Sequence, residues 1–490
     1  MKKYLYTILA LGLSFGCQPE FNDPINEVGF YTSGEADFSN YVAVGNSLTA
    51  GYADNALYIE GQLNSFPSML ADKFSLAGGG DFNQPLVADN LGGLLANGQQ
   101  IQGNRLVLEV TASSQNPAPI EGTPTTDIAN HLEGTFNNMG IPGAKSYHLM
   151  ANTYGNIGNL PAANPYFIRI ASSNEATVIG DAVAQDPTFF TLWIGNNDIL
   201  GFATSGGIGE DQTGNLDPST YGNSDITDPN VFANIYNELL KALTANGAKG
   251  AVANIPDVTA IPYFTTVPYN AIPLDEATAA MLNQAYAPYN TGLQQAAFLG
   301  AISPEEATER TINFTVGQNP VVLLDEDLTD LTSINEGLTN MRQATNQDLI
   351  PLPVSSVLGT LADPSDPNSV IGVGVPLNDD QLLTASEIQL VVTAQTAYNT
   401  AIKALADQYD IAFVDIQSLM NTLAQGGVSF DGGTITNTFG TGGAFSLDGV
   451  HPTQRGYAVV ANNFIRAINS KYNSDLPLVN PGSYPTIFVK

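Results

Sequence analysis

The sequence predicts an α/β protein built on a mainly parallel sheet, and three observations lead there. Short apolar runs end abruptly in Gly, Asn or Asp, amphipathic helical patterns separate them, and 43% of the 490 residues are hydrophobic, enough for a sizeable core. Strands that alternate with helices imply crossover connections, hence parallel strands covered by helices on both faces.

The elements follow in order. Tyr41 to Val44 is an apolar run entering Gly45-Asn46-Ser47, a strand closed by a turn. Phe189 to Ile194 repeats that pattern before Gly195 and Asn196. Over 231–245, Val231, Ile235, Leu239 and Leu243 share one helical face, and the run from Gly250 to Ile255 before Pro256 is the next strand. A long helix is expected over 386–406 and a strand over 411–414, ending at Asp415. The last strong helix spans 452–468, with Pro452 near its start and Tyr457, Val460, Phe464 and Ile468 on one face. Two stretches break the alternation and read as insertions, 81–124, rich in Gly, Asn, Gln and Pro, and 303–376, with strand-like 312–316 and 321–324. A third, Gly/Thr-rich segment covers 426–444. Long insertions of this kind are expected to shape a substrate cleft.

The first residues read as an address. Lys2 and Lys3 precede an uncharged, mostly apolar run, Leu5 to Phe15, which suits a secretory signal and is too short to span a bilayer. It ends at Gly16 and Cys17, the only cysteine, and resembles the lipobox of bacterial lipoproteins, although Leu13 stands four places before Cys17 instead of three. The resemblance implies removal of 1–16, lipidation of Cys17, a tether over 17–36 and a folded domain over 37–490. Gln18, where an inner-membrane retention signal would carry Asp, implies the outer membrane, with the side undecided.

Charge and composition exclude other classes. There are 47 acidic and 15 basic residues, a formal charge of −32, so no basic stripe exists to displace counterions from a phosphate backbone and nucleic acid is excluded as a partner. One cysteine and three histidines exclude disulfide frameworks and thiolate zinc sites, and any metal would need mainly oxygen ligands. His131 and His148 lack spaced partners and are expected to be structural. Asp325-Glu326-Asp327 could hold calcium but lacks the EF-hand spacing, so a solvated acidic turn is expected.

Four segments carry the parts that ester hydrolysis by a serine requires: a nucleophile, a base, a carboxylate to orient it, and donors for the oxyanion. Ser47 follows a strand end, where a sharp turn exposes its hydroxyl at the ligand-binding edge of a parallel sheet. Asp448 stands three residues before His451, so one loop can bring both side chains to a common centre. Asn197, in Gly195-Asn196-Asn197-Asp198, can aim its amide at the same edge, and Gly143 can offer a backbone N–H with no side chain in the way. Each element alone is weak: a turn serine, an Asx turn, a glycine turn and a short Asp-x-x-His all recur by chance.

In the order Ser47, Gly143, Asn197, Asp448 and His451, the chain resembles the SGNH hydrolases of the GDSL lipase/esterase type. The resemblance implies a compact three-layer α/β/α, flavodoxin-like sandwich. It also implies a catalytic Ser47–His451–Asp448 triad, an oxyanion hole from the Ser47 N–H, Gly143 and Asn197, and no metal or organic cofactor. Its substrate would be an acylated small molecule, glycan or lipid. The family's Gly-Asp-Ser is Gly45-Asn46-Ser47 here, which removes a charge beside the nucleophile, and the chain is far longer than a minimal SGNH core. An α/β-hydrolase elbow is disfavoured because Thr49 occupies the position of its second glycine. Two alternatives stay open on the same residues, a catalytically silent glycan- or lipid-binding lipoprotein and an acyltransferase.

Overall fold

The structure, a computed structural model, describes residues 29–111 and 115–490. The expected signal segment, Cys17 and most of the tether lie outside the described residues. Of the tether, Thr32 and Glu35 are docked, through Thr32 N–H to Asp475 and Glu35 N–H to the Tyr472 carbonyl. Among the described residues, no helix is long and apolar enough to cross a membrane.

The body is mixed α/β, around an all-parallel sheet of five strands: β1 (Tyr41–Gly45), β2 (Asn138–Gly140), β3 (Phe189–Trp193), β4 (Lys249–Ala253) and β5 (Ala412–Val414). Their spatial order is β2-β1-β3-β4-β5, and every neighbouring pair is parallel. β1 and β3 are buried along their whole length, which is why both read as unbroken apolar runs instead of alternating ones. β2 is only three residues, Asn-Met-Gly, too short and polar to stand out in the sequence.

The helices that matter to the site are α1 (Ser47–Ala50), α2 (Phe66–Ser75), α3 (Asn197–Thr204), α4 (Pro229–Thr244), α5 (Glu276–Phe298), α6 (Ala385–Gln408), α7 (Ile416–Gln425) and α8 (Gln454–Tyr472). All of them but α3 start with a side-chain cap that satisfies N–H groups with no partner inside the helix. Asp228 accepts from Asn230 and Val231 ahead of α4, Thr384 forms a capping box with Glu387 on α6, and Thr453 accepts from Gly456 on α8. The apolar faces of α2, α3, α4, α6, α7 and α8 join the sheet in one core, in which Phe66 of α2 stacks on Phe464 of α8 at 4.7 Å and Phe232 of α4 on Tyr398 of α6 at 4.2 Å.

A second hydrophobic core lies within residues 267–382, between β4 and α6. This lobe begins earlier than the insertion expected over 303–376, because α5, carrying Leu293 and Ala296, belongs to it. Two small antiparallel pairs complete it, Ile272–Leu274 with Gly317–Asn319 and Val322–Leu324 with Met341–Gln343, whereas the strand expected over 312–316 is irregular chain. Asp325 is not part of a solvated turn. It is buried against Arg342, which holds Asp325 at 2.6 Å and Asp348 at 2.7 Å. The insertion over 81–124 forms short strands, among them Leu94–Ala96 and Gln99–Gln102, over a small core with Ala50, Leu57 and Tyr166.

Candidate active site

The site is positioned by the strand order. From β1 the chain passes to β2 on one side, then crosses to β3 on the other, so the loops leaving β1 and β3 diverge and open a crevice at their carboxyl ends. In register, Gly45 of β1 faces Gly140 of β2 and Trp193 of β3. Ser47, Gly143 and Asn197 therefore follow the ends of three adjacent strands. The chain turns directly from β1 into α1 over Gly45, where a Cβ would lie 2.2 Å from Thr49 Oγ1 and 2.4 Å from the Trp193 carbonyl. Asn46 closes the turn by accepting from Leu48 N–H, and its amide donates to Asn196 Oδ1 at 3.3 Å.

Asp448 and His451 come from the loop entering α8. His451 Nε2 lies 2.9 Å from Ser47 Oγ, and His451 Nδ1 lies 2.9 Å from Asp448 Oδ2. Ser47 is 7% exposed, so the relay is largely shielded while its hydroxyl still borders a cavity. Burial acts to raise the Asp448 carboxyl, but the His451 ring beside it, with the His451 and Asn55 N–H groups, overcomes that and holds it down at about 2. Asp448 Oδ1 also accepts from Ser446 Oγ and Val450 N–H. The carboxylate is thus fixed as an anion that can keep Nδ1 protonated and leave Nε2 to accept the Ser47 proton.

The groups expected to face an oxyanion stand beyond the neighbouring strand ends. Asn197 Nδ2 donates to the Ala144 carbonyl at 2.9 Å, which ties its amide to the Gly143 turn and leaves its second N–H available. Gly143 adopts φ +81°, a left-handed conformation that a side chain would strain, and a Cβ there would meet only Asn164 Nδ2 at 3.9 Å. Among the described residues, the backbone N–H groups of Ser47 and Gly143 donate to no protein acceptor. Beside Ser47, Asn197 and His451, a cavity runs inward between apolar walls that include Leu48, Leu200, Ile416, Met420, Phe445 and Val459. On another side, Tyr52 packs over the His451 ring at 4.7 Å.

All five of the residues expected at one centre, Ser47, Gly143, Asn197, Asp448 and His451, thus stand at the same sheet edge, while Cys17 lies outside the described residues. The other two histidines are elsewhere. His148 accepts Lys145 N–H and stacks on Tyr154, with burial pushing its ring down to about 4, and His131 approaches the Ile168 carbonyl.

Sequence reasoning missed a clamp behind the relay. Asp54 N–H donates to Ser446 Oγ, Asp54 Oδ1 accepts from Leu447 N–H, and Asn55 N–H donates to Asp448 Oδ2. These bonds join the segment after Ser47 to the loop of Asp448 and His451 nearly 400 residues later. Asp54 is buried, its carboxyl pushed up to about 6 by burial despite the Leu447 N–H. The only signal in the sequence was the pair Asp54-Asn55, residues that tolerate the positive φ both adopt, and that signal also fits any ordinary turn. Compared with known proteins, the chain shows no significant match to any family model, curated protein or solved structure.

Proposed function

We propose that the chain is a serine ester hydrolase of the SGNH type, with the three-layer sandwich of that class, carried as an exported lipoprotein anchored through Cys17 to the outer membrane. The observation that carries this reading is the unbroken relay from Ser47 Oγ through His451 to Asp448, with both contacts at 2.9 Å. Ser47 Oγ attacks the ester carbonyl carbon as His451 Nε2 takes the hydroxyl proton, and Asp448 stabilises the imidazolium. The negative oxygen that forms is met by the Ser47 and Gly143 N–H groups and the Asn197 amide. Collapse expels the alcohol, protonated by His451, and leaves an acyl-enzyme at Ser47. Water, deprotonated by His451, then releases the acid and frees Ser47.

The apolar cavity beside Ser47 supports an ester with a hydrocarbon acyl chain. The deciding experiment uses p-nitrophenyl esters of increasing chain length together with a fluorophosphonate probe. The wild type hydrolyses them, favours chains longer than acetyl, and is labelled at Ser47, while Ser47→Ala loses both turnover and label with its far-UV spectrum unchanged. Turnover retained by Ser47→Ala overturns the assignment. A folded wild type that neither turns over nor takes label favours the silent binding protein instead.

A further inference from the structure

Where the insertion lobe meets the sheet domain, three carboxylates converge. Glu326 lies two residues beyond the lobe strand Val322–Leu324, and Asp379 follows Leu377, which bridges to Leu323 of that strand. Glu387 stands in the first turn of α6, whose Val391, Tyr398 and Ile402 belong to the sheet core. One oxygen of each lies within 4.8 Å of those of the other two. Among the described residues, no ion pair includes any of them.

Of the three, Glu387 is the buried one. It is 5% exposed. Its Oε2 accepts from Thr384 N–H at 2.6 Å and Thr384 Oγ1 at 2.8 Å, but its Oε1 is buried and has no hydrogen-bond partner among the described residues. An anionic oxygen left without a donor in the interior is costly, and an acidic cluster adds repulsion to that cost. Gly207 packs against this oxygen where any Cβ would collide with it.

We propose that Glu326, Asp379 and Glu387 bind one divalent cation of the calcium type, which fastens the insertion lobe to the sheet domain. The donors are all carboxylate oxygens, which suit a hard cation, and the span fits ligands about 2.3–2.6 Å from a common calcium ion. Glu326 is exposed, so the site opens to solvent on one side, where water completes the coordination. The lobe also touches the loop that carries Asp448 and His451, since Leu352 packs against Gly449, whose carbonyl accepts from the N–H of Tyr263 just before the lobe.

The test uses the full chain, stripped with chelator and titrated with calcium chloride by calorimetry, with Tm followed in parallel. We expect one saturable site per chain, a higher Tm with calcium, weaker binding of magnesium, and an affinity lowered about tenfold or more in Glu387→Gln and in Asp379→Asn. Glu326→Gln, at an exposed position, gives the same readout should the buried variants fold poorly. Ser47→Ala should bind calcium like the wild type, so the outcome is independent of the hydrolase reading. No saturable binding, or equal affinity in wild type and all three carboxylate variants, overturns the proposal. So does a metal-free Glu387→Gln that is more stable than the wild type while calcium leaves the wild type unchanged, because the cluster then only shares protons.

Discussion

The sheet domain and the insertion lobe handle buried charge in opposite ways. In the sheet domain, ionisable groups gather beyond the strand ends and are held by neutral donors. Asp448 accepts from the N–H groups of Val450, His451 and Asn55, and Asp198 accepts from Ser146 N–H and Oγ. In the lobe, charge sits inside the core and is matched by charge. Arg310, 0% exposed, reaches Glu306 and the carbonyls of Thr329, Leu338 and Thr339, and Arg342 is clasped by Asp325 and Asp348. On the proposed hydrolase reading, Asp448 is held this way to serve His451. A carboxylate neutralised by a guanidinium is committed to structure. On that reading the sheet edge carries the chemistry, and the charges of the lobe support its fold.

The largest expected effects break the sheet edge. His451→Ala removes the base and should lower kcat/KM by roughly 10⁶-fold, and Asp448→Asn, which spoils the tautomer while leaving nucleophile and base in place, by roughly 10⁴-fold. Both are read with a soluble p-nitrophenyl ester, and both should leave the lobe's stability unchanged. Near-normal turnover in His451→Ala would remove the distinction between the regions.

The lobe is broken by stability, not chemistry. Arg342→Ala strands two buried carboxylates and should cost about 3–5 kcal/mol in urea unfolding. Replacing Arg342, Asp325 and Asp348 together with apolar residues of similar volume should recover most of that loss, because the desolvation of all three charges is then avoided. If the triple variant is no better than Arg342→Ala, the lobe's charges contribute more than mutual neutralisation.

A smaller effect is pH-dependent. Asp448 is held at about 2 in the folded chain, below the ordinary 3.8, so its contribution to stability is present above the unfolded value and disappears as pH falls through the folded one. The difference amounts to about 2 kcal/mol. Other carboxylates held low, such as Asp348, titrate in the same window, so the measurement is the difference in unfolding free energy between wild type and Asp448→Asn from about pH 5 to pH 2. That difference should shrink steadily toward low pH. A constant difference would mean that the carboxylate gains nothing from its surroundings.

The same contrast explains what was legible in the sequence. β1, β3, β4 and α8 could be found because a sheet buried on both faces demands continuous apolar runs and an amphipathic helix demands a 3.6-residue period. The residues of the relay could be singled out because each must sit just past such a run or just before such a helix. The lobe was less legible, since its core depends on α5, which carries Pro288 and spreads few buried residues over its length, and on ion pairs such as Asp325–Arg342 that no local pattern announces. The clamp from Asp54 to Ser446 joins positions 392 residues apart, and only the folded chain brings them together.

The smallest expected effect sharpens the comparison at Asn46, where a neutral amide stands in place of the carboxylate that the resemblance would put there. Asn46 is fully buried, accepts from Leu48 N–H, and donates to Asn196 Oδ1. In Asn46→Asp the bond to Leu48 can persist, but two oxygens would face each other unless the Asn196 amide rotates to present its nitrogen. That rotation costs little, so the fold should hold and kcat/KM should change by less than about tenfold. A new negative charge near the relay should move the acid limb of the kcat/KM profile to higher pH. The measurement is that profile, taken for both proteins at one ionic strength. An unmoved limb with lowered kcat would mean that Asn46 acts through the geometry of the Ser47 turn alone, and that the sheet edge depends on neutral donors for shape more than for charge.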